Sequence, residues 1–171
     1  MTGRAALVQS LALTLACLVS YWLTSSALAR IHSLSDADDV LGGVWAVIAT
    51  IFVYHASRTE SLAAARARGA ATAFSFALCF VYLLFLPFHP WGLAVLIGIG
   101  TFVLLAIRRP DDVITTGITS AVVMVAAALS PHDAWQQPLL RSADTAIGIA
   151  VALAASWIVA SSETARSPAH S

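Results

Sequence analysis

The chain has 171 residues, of which 59% are hydrophobic and only 11% are charged, and its formal net charge is zero. Soluble domains are about half apolar and about one quarter charged, so this composition excludes an ordinary water-soluble domain and favours a protein whose solvent is lipid. The balanced charge gives no sign of a nucleic-acid partner.

Six apolar segments follow one another along the chain and predict an all-α polytopic membrane protein with six transmembrane helices. Most have about 17–22 residues, enough for a helix to cross about 30 Å of hydrocarbon. Breaks rich in Asp, Arg, Pro and His separate them. We expect one transmembrane domain over residues 1–162 and a short polar cytoplasmic tail over 163–171. The predicted segments are Ala5–Ala29, Val40–Ala56, Ala70–Leu86, Trp91–Ile107, Val113–Leu129 and Leu139–Ala160.

Arginine placement predicts that both ends of the chain lie in the cytoplasm. With the N-terminus inside, seven arginines fall on the inner side, and only Arg30 and Arg141 fall outside. This bias is the one expected of membrane proteins, whose inner loops are enriched in basic residues. Alternatively, the first segment is a cleavable signal peptide, because Arg4 precedes an apolar run that ends near Ala27-Leu28-Ala29. Cleavage would leave five spans.

The two halves of the chain resemble each other when the sequence is shifted by 73 residues. Asp38-Asp39-Val40-Leu41 then falls on Asp111-Asp112-Val113-Ile114, and the Arg-x-x-x-Thr sequences Arg68–Thr72 and Arg141–Thr145 coincide. Three helices separate the copies, so they enter the membrane from opposite faces. This predicts an inverted repeat of three plus three helices, an arrangement that places transporter sites at the repeat interface. The alternative is chance agreement, since few residues match.

Small residues predict where helices approach each other closely. In membranes, Gly, Ala and Ser allow helix backbones to pack tightly. The predicted packing residues are Gly98 and Gly100 in the fourth segment, and the stripes Ala146, Ala150, Ala154 and Gly148, Ala152, Ser156 in the sixth.

Trp45 also stands out, because it lies deeper in its segment than an interfacial aromatic residue should.

Two stretches carry a resemblance to a known family. After the apolar run that starts at Trp45, the chain contains Ser61-Leu62 and Arg66-x-x-Gly69, and the last segment opens with Arg141-Ser-Ala-Asp-Thr-Ala-Ile-Gly148. These patterns resemble the Ser-Leu, Arg-x-x-Gly-Thr-x-x-Gly and Arg-x-x-Asp-Thr-x-x-Gly motifs of the FUSC family, the fusaric acid resistance and aromatic acid exporter superfamily.

The resemblance extends roughly from Val40 to Ala160 and departs from the family pattern at Ala70 and Ala73, which replace its Thr and second Gly. It implies a six-helix transporter of small organic anions, often aromatic carboxylates. We therefore expect a proton-coupled secondary exporter in the bacterial inner membrane. A passive anion channel on the same scaffold and a non-transporting membrane scaffold subunit are the alternatives.

The resemblance also bears on assembly. Many members of the family carry a second membrane unit or a cytoplasmic domain, and this sequence shows neither. We therefore expect a minimal unit that forms a homo-oligomer, with a dimer as the first expectation.

Arg141, Asp144 and Thr145 are the strongest candidates for substrate binding. Arg141 and Asp144 are three residues apart and share a helix face. An arginine near a helix N-terminus offers a carboxylate bidentate donors together with backbone N–H groups. Asp144 is expected to pair with Arg141 in the empty site or to take up a proton. The alternative is an interfacial ion pair that anchors the last helix.

Arg66, Arg68 and Gly69 form the corresponding group on the inner side, where the two arginines are expected to gather anions. The alternative is ordinary anchoring by positive charge. His55 joins Asp144 as a proton-coupling candidate, because an imidazole titrates near neutral pH. An interfacial histidine without a proton-relay role is the alternative.

No sequence motif indicates an enzyme, a cofactor or a metal site. The chain contains no Walker sequence and no Ser/His/Asp spacing, and its histidines show no HxxxH or HExxH pattern. Cys17 and Cys79 stand alone within apolar runs. The expected partners are therefore the lipid bilayer, a small organic anion and further copies of the chain.

Overall fold

The structure, a computed structural model, describes residues 3–28 and 36–164, so Arg30, Arg166 and residues 165–171 of the predicted tail lie outside the described residues. The described chain is helical, without a strand, which confirms the predicted all-α class. A π-helical turn, Leu23–Leu28, extends the first helix, and a 3₁₀ segment, Pro131–Gln136, precedes the last. The six α-helices are α1 (Gly3–Trp22), α2 (Asp36–Val53), α3 (Arg58–Phe85), α4 (Pro90–Ala106), α5 (Asp112–Leu129) and α6 (Gln137–Thr164).

Four stretches are long and apolar enough to cross a bilayer: Ala6–Ser26, Arg58–Phe85, Asp112–Leu129 and Pro131–Ser161. Two further apolar helices are shorter, Asp39–Val53 in α2 and Pro90–Ala106 in α4. At 1.5 Å per residue these two fall short of the hydrocarbon thickness unless the bilayer thins locally. The six helices are thus present, and their six crossings remain a prediction.

The helices expose large apolar side chains and bury small polar ones. Phe85 is 80% exposed and Trp91 77%, whereas Ser20, Thr50 and Ser120 are completely buried. Water-soluble proteins show the opposite distribution, because their solvent rewards exposed polar groups. With lipid outside, apolar surfaces are solvated and hydroxyl groups serve as contacts between helices. The chain is therefore a multi-pass membrane protein.

Helix α3 begins at Arg58, twelve residues before the predicted start at Ala70. The polar stretch Arg58–Arg68, predicted as a break between spans, is instead the first three turns of α3. Its Ala63-Ala64-Ala65 run, with Glu60 and Leu62, consists of strong helix formers. Hydropathy located the start of the apolar segment at Ala70, but the helix itself starts earlier, at Arg58.

Local contacts fix both ends of α4. The imidazole Nδ1 of His89 accepts a hydrogen bond from the backbone N–H of Trp91 at 3.3 Å, and Pro90 occupies the first helical position, where its missing N–H costs nothing. After α4, Arg108 adopts a positive φ of 59°, and the Arg109 side chain pairs with Asp112 at 2.7 Å. These contacts turn the chain directly into α5.

The chain divides into two compact units. Unit 1 comprises Met1–Arg66 and Asp144–Ser171, and therefore contains α1, α2, the beginning of α3 and most of α6. Unit 2 comprises Ala67–Ala143, with the rest of α3, then α4, α5 and the beginning of α6. Each unit thus combines two successive helices of one predicted half with the third helix of the other half.

In unit 1, contacts bring the early turns of α1 and the late turns of α6 to the same end of the helix group. The Tyr54 hydroxyl near the end of α2 donates to the Gln9 carbonyl in α1 at 3.5 Å. Arg58, at the start of α3, donates to the Trp157 carbonyl near the end of α6 at 3.2 Å and stacks over the Trp157 ring at 5.9 Å. The cytoplasmic placement of both termini stays a prediction.

Only some of the predicted small residues pack against neighbours. Gly100 lies against Thr116, with 3.3 Å between a notional Cβ and the threonine methyl, whereas Gly98 has no neighbour within 4 Å among the described residues. Close contact at Gly98 within the chain is therefore not observed among the described residues, and its packing against a second subunit stays a prediction. In α6 one stripe is buried, comprising Gly148, Ala152 and Ser156, and the other is exposed, comprising Ala146, Ala150 and Ala154.

Candidate functional site

Unit 2 buries two arginines. Arg68 on α3 is 5% exposed, and Arg141 at the start of α6 is 1% exposed. A charge inside a membrane protein is costly, and such residues usually face a substrate pathway or a charged partner. Arginines that anchor a helix at the membrane surface reach the interface with their side chains. Arg68 and Arg141 are thus too deeply buried for anchoring at the membrane surface, and their role in substrate binding stays a prediction.

Unit 1 buries Asp144 and Thr145, the next two members of the predicted site. They are 2% and 4% exposed and lie on α6, within the turn that follows Arg141. The Thr145 hydroxyl accepts a hydrogen bond from the indole Nε1 of Trp45 at 2.9 Å. This bond explains why Trp45, 1% exposed, lies deeper than an interfacial tryptophan.

Arg66, Arg68 and Gly69 do not share one environment. Residues two apart on a helix lie about 200° apart around its axis. Arg66 is accordingly exposed and belongs to unit 1, while Arg68 is buried in unit 2 and the adjacent Gly69 is half-buried there. Arg68 alone is thus the buried counterpart of Arg141.

His55 lies in the turn after α2, with an exposed side chain. Its backbone N–H donates to the Ser61 hydroxyl at 2.9 Å, and that hydroxyl donates back to the His55 carbonyl at 3.0 Å. Its ring Nδ1 lies 3.1 Å from the Val53 carbonyl. These contacts fix the turn between α2 and α3, and proton coupling through His55 remains a prediction.

The burial pattern of α3 recurs in α6 at the predicted shift of 73 residues. From Arg68 onward, six buried positions of α3 coincide with six buried positions of α6. They pair as Arg68 with Arg141, Ala71 with Asp144, Thr72 with Thr145, Ser75 with Gly148, Cys79 with Ala152 and Leu83 with Ser156. Agreement over four helical turns is structural support for the repeat.

Helices α2 and α5 also match, but at a shift of 74 residues. The ungapped shift of 73 predicted for the whole repeat is therefore wrong for this pair, because the connection that follows the second helix is one residue shorter in the second half. Every position paired in this way is at most 1% exposed. The pairs are Trp45 with Thr119, Ala46 with Ser120, Ala49 with Val123, Thr50 with Met124 and Val53 with Ala127.

In unit 1, α2 crosses α6 through backbone contact at Gly148. A Cβ on Gly148 would collide with the Ala46 carbonyl and lie 2.8 Å from the Ala49 Cβ. The Thr50 hydroxyl donates to the Gly148 carbonyl at 3.2 Å and also lies 2.6 Å from the Ser20 hydroxyl of α1. The hydrogen bond from Trp45 to Thr145 adds a further contact between α2 and α6, about one turn before Gly148.

In unit 2, α3 crosses α5 through hydroxyl groups. The Ser75 hydroxyl lies 2.8 Å from the Ser120 hydroxyl and 3.4 Å from the Thr116 carbonyl, and Thr116 donates to the Ala71 carbonyl at 3.4 Å. Contacts advance along both helices together, so the pair is parallel, as is α2 with α6. The predicted topology requires both parallel pairs.

The family assignment follows from a comparison with known proteins. The family model described as fusaric acid resistance protein-like matches residues 15–155, a range that contains both crossings and both buried arginines. The chain belongs to the fusaric acid resistance protein-like family. This confirms the resemblance seen in the sequence. No curated protein and no solved structure matches the chain significantly.

Fusaric acid resistance-like proteins form a transporter family rather than an enzyme family, so membership indicates membrane transport of the efflux type. Within the described residues, no group of His, Cys, Asp or Glu could hold a metal ion.

One cavity of this family member is unsuited to an anion. It is a groove of about 320 Å³ between α1 and α6 of unit 1. Its walls are small and aliphatic, with Ala12 and Ala16 on one side and Ala154 and Ala155 on the other. No donor lines it, so a carboxylate there would lose its hydration without compensation. The polar interior of unit 2 is the better candidate.

Proposed function

We propose that the protein is a proton-coupled secondary exporter of small organic anions, chiefly aromatic carboxylates, across the bacterial inner membrane. The observation that carries this proposal is the burial of Arg68 and Arg141 in a protein of a transport family. A guanidinium buried away from water is stabilised by interaction with an anion. Both arginines are therefore suited to bind an anionic substrate.

Arginine suits a carboxylate for geometric reasons. Its planar guanidinium donates two parallel hydrogen bonds to the two oxygens, and the interaction strengthens where water is excluded. Arg141 is the primary ligand in this proposal, because it is 1% exposed and lies near the N-terminus of α6. Arg68 holds the equivalent position in the other repeat, which the predicted topology places on the inner side of the membrane, and it supplies a second positive charge there.

Asp144 supplies the coupling to protons in this proposal. It follows Arg141 by three residues on α6 and is 2% exposed. Ionised, it balances the charge of Arg141 when no substrate is bound. Protonated, it leaves Arg141 to a substrate carboxylate. Proton uptake and substrate binding are thereby linked as co-transport, so export by this route follows the outward gradient of the carboxylate and carries a proton with each substrate. His55 is the second candidate for that relay.

Transport into proteoliposomes tests the proposal. Wild-type protein is expected to take up radiolabelled benzoate saturably, and a proton gradient across the membrane should accelerate the uptake. Arg141→Gln should weaken benzoate affinity about 10- to 100-fold, the loss expected for charge-assisted hydrogen bonds. Arg108→Gln is the control, since Arg108 is exposed in the turn between α4 and α5.

Two outcomes would change the conclusion. Uptake that follows the benzoate gradient and ignores the proton gradient would indicate a passive channel. The absence of saturable uptake would contradict transport of aromatic carboxylates. Asp144→Asn separates coupling from binding, because it should retain benzoate exchange and lose the response to the proton gradient.

A further inference from the structure

The two helix crossings are equivalent in position but differ in what fills them. Gly148 contacts Ala46 in unit 1, and the equivalent residues Ser75 and Ser120 contact each other in unit 2. The same correspondence pairs Trp45 with Thr119 and Thr145 with Thr72. Unit 2 therefore places Thr72 and Thr119 where unit 1 places the hydrogen-bonded Thr145 and Trp45.

The unit 2 pair lacks the bond that the unit 1 pair makes. Thr72 is 2% exposed and Thr119 is completely buried. Neither hydroxyl has a hydrogen-bond partner in the described part of the chain. Buried hydroxyl groups normally find partners, and leaving two of them unsatisfied at one crossing is unfavourable unless something else occupies them. Threonine also fills far less volume than the indole that occupies the equivalent place.

The surroundings define the chemistry of the missing partner. Thr72 follows Arg68 by four residues on α3, so the buried guanidinium and the hydroxyl share one helix face. A hydroxyl donor on the same helix face as a positive charge, with a second donor on the helix that crosses it, suits an acceptor that carries negative charge. A carboxylate meets both requirements, because its oxygens accept several hydrogen bonds and its charge is opposite to that of arginine.

We infer that Thr72 and Thr119 form the second half of the substrate site, where their hydroxyls donate to the carboxylate that Arg68 attracts. This inference rests on the proposed transport of carboxylates and names residues that the family motifs do not contain. Trp45 and Thr145 form a hydrogen bond at the equivalent place in unit 1, so one crossing of the repeat has its polar groups paired and the other has two buried hydroxyls without a partner in the described residues.

Equilibrium binding of radiolabelled benzoate to the detergent-purified full chain tests the inference. Thr72→Val and Thr119→Val keep the side-chain shape and remove the hydroxyl. Each should raise the benzoate dissociation constant about tenfold or more, the effect of one hydrogen bond to a charged group. The unfolding temperature should stay equal or rise, because valine removes a buried hydroxyl that has no protein partner. Thr115→Val, one turn earlier on α5 and half-buried, is the matched control and should change neither quantity.

The outcomes separate this inference from the proposed function. Saturable benzoate binding with the same dissociation constant in wild type, Thr72→Val and Thr119→Val would overturn the inference and leave carboxylate transport standing. That result would mean that the hydroxyls hold only water. No saturable binding by the wild type would contradict both. A tenfold loss of benzoate affinity in the two valine variants, with an unchanged unfolding temperature, would establish the site.

Discussion

The α2–α6 crossing of unit 1 and the α3–α5 crossing of unit 2 share a burial pattern and differ in chemistry. In unit 1 the contact is made by glycine, alanine and an indole that donates at 2.9 Å to Thr145. In unit 2 it is made by serine and threonine hydroxyls, with Arg68 one turn before Thr72. The same repeat thus supports one close-packed crossing and one polar crossing.

This difference shows how a repeat acquires a site. A buried tryptophan and a glycine produce a rigid, water-free contact that holds helices together. Replacement of the indole by threonine at the equivalent position gives up packing and leaves two buried hydroxyls. Functional sites commonly carry such local costs, which the remainder of the fold offsets. Unit 1 is therefore expected to govern stability, and unit 2 to govern binding.

The largest expected effect is on stability, from Gly148→Val. The new side chain would collide with the Ala46 carbonyl and with Ala49, and backbone on α2 cannot move aside easily. We expect a loss of about 3 kcal/mol or more, or no recovery of monodisperse protein. Gly98→Ala is the control and should be neutral or slightly stabilising, since its notional Cβ meets nothing within 4 Å. Thermal unfolding in detergent measures both, and equal unfolding temperatures would refute the close contact.

A moderate effect is expected from Trp45→Phe. Phenylalanine keeps much of the packing and removes the Nε1 donor to Thr145. We expect a stability loss of about 1–3 kcal/mol, because volume and a buried hydrogen bond are both lost. Benzoate affinity should remain within about twofold of wild type, because the proposed ligands Arg68, Thr72 and Thr119 all belong to unit 2. An affinity loss as large as that of Thr119→Val would abolish the division of roles between the units.

The smallest effect is expected from Ser75→Ala in unit 2. It removes the 2.8 Å contact with the Ser120 hydroxyl, which can still donate to a backbone carbonyl one turn back on its own helix. Hydrogen bonds between membrane helices are worth about 0.6 kcal/mol on average, so we expect a loss of about that size. A loss as large as that of Gly148→Val would mean that unit 2 is as tightly packed as unit 1.

Composition and hydropathy predicted the membrane class, the six helices and most of their bounds. They missed the first three turns of α3, because a hydropathy scale identifies lipid-facing residues and does not detect polar helical turns such as those starting at Arg58. The orientation predicted from arginine placement stays a prediction, although contacts do gather Gln9, Tyr54, Arg58 and Trp157 at one end of unit 1.

The candidate site was predictable only in part. Arg68 and Arg141 were visible because charges are rare in apolar sequence. The depth of Trp45 was a signal, but its partner Thr145 lies 100 residues away. The sequence gives no sign that Thr72 and Thr119 are related, because threonine is common in membrane helices. The shift of 74 residues that relates α2 to α5 conserves burial rather than residue type. Only packed coordinates reveal such a correspondence.

The most direct test of the central claim is to locate a bound carboxylate. Crystals of the full chain grown with 4-iodobenzoate would show the iodine by its anomalous scattering and the carboxylate by its density. We expect one site in unit 2, with the carboxylate within hydrogen-bonding distance of the Thr72 and Thr119 hydroxyls. Density in the apolar groove between α1 and α6 of unit 1, with none near those threonines, would contradict it.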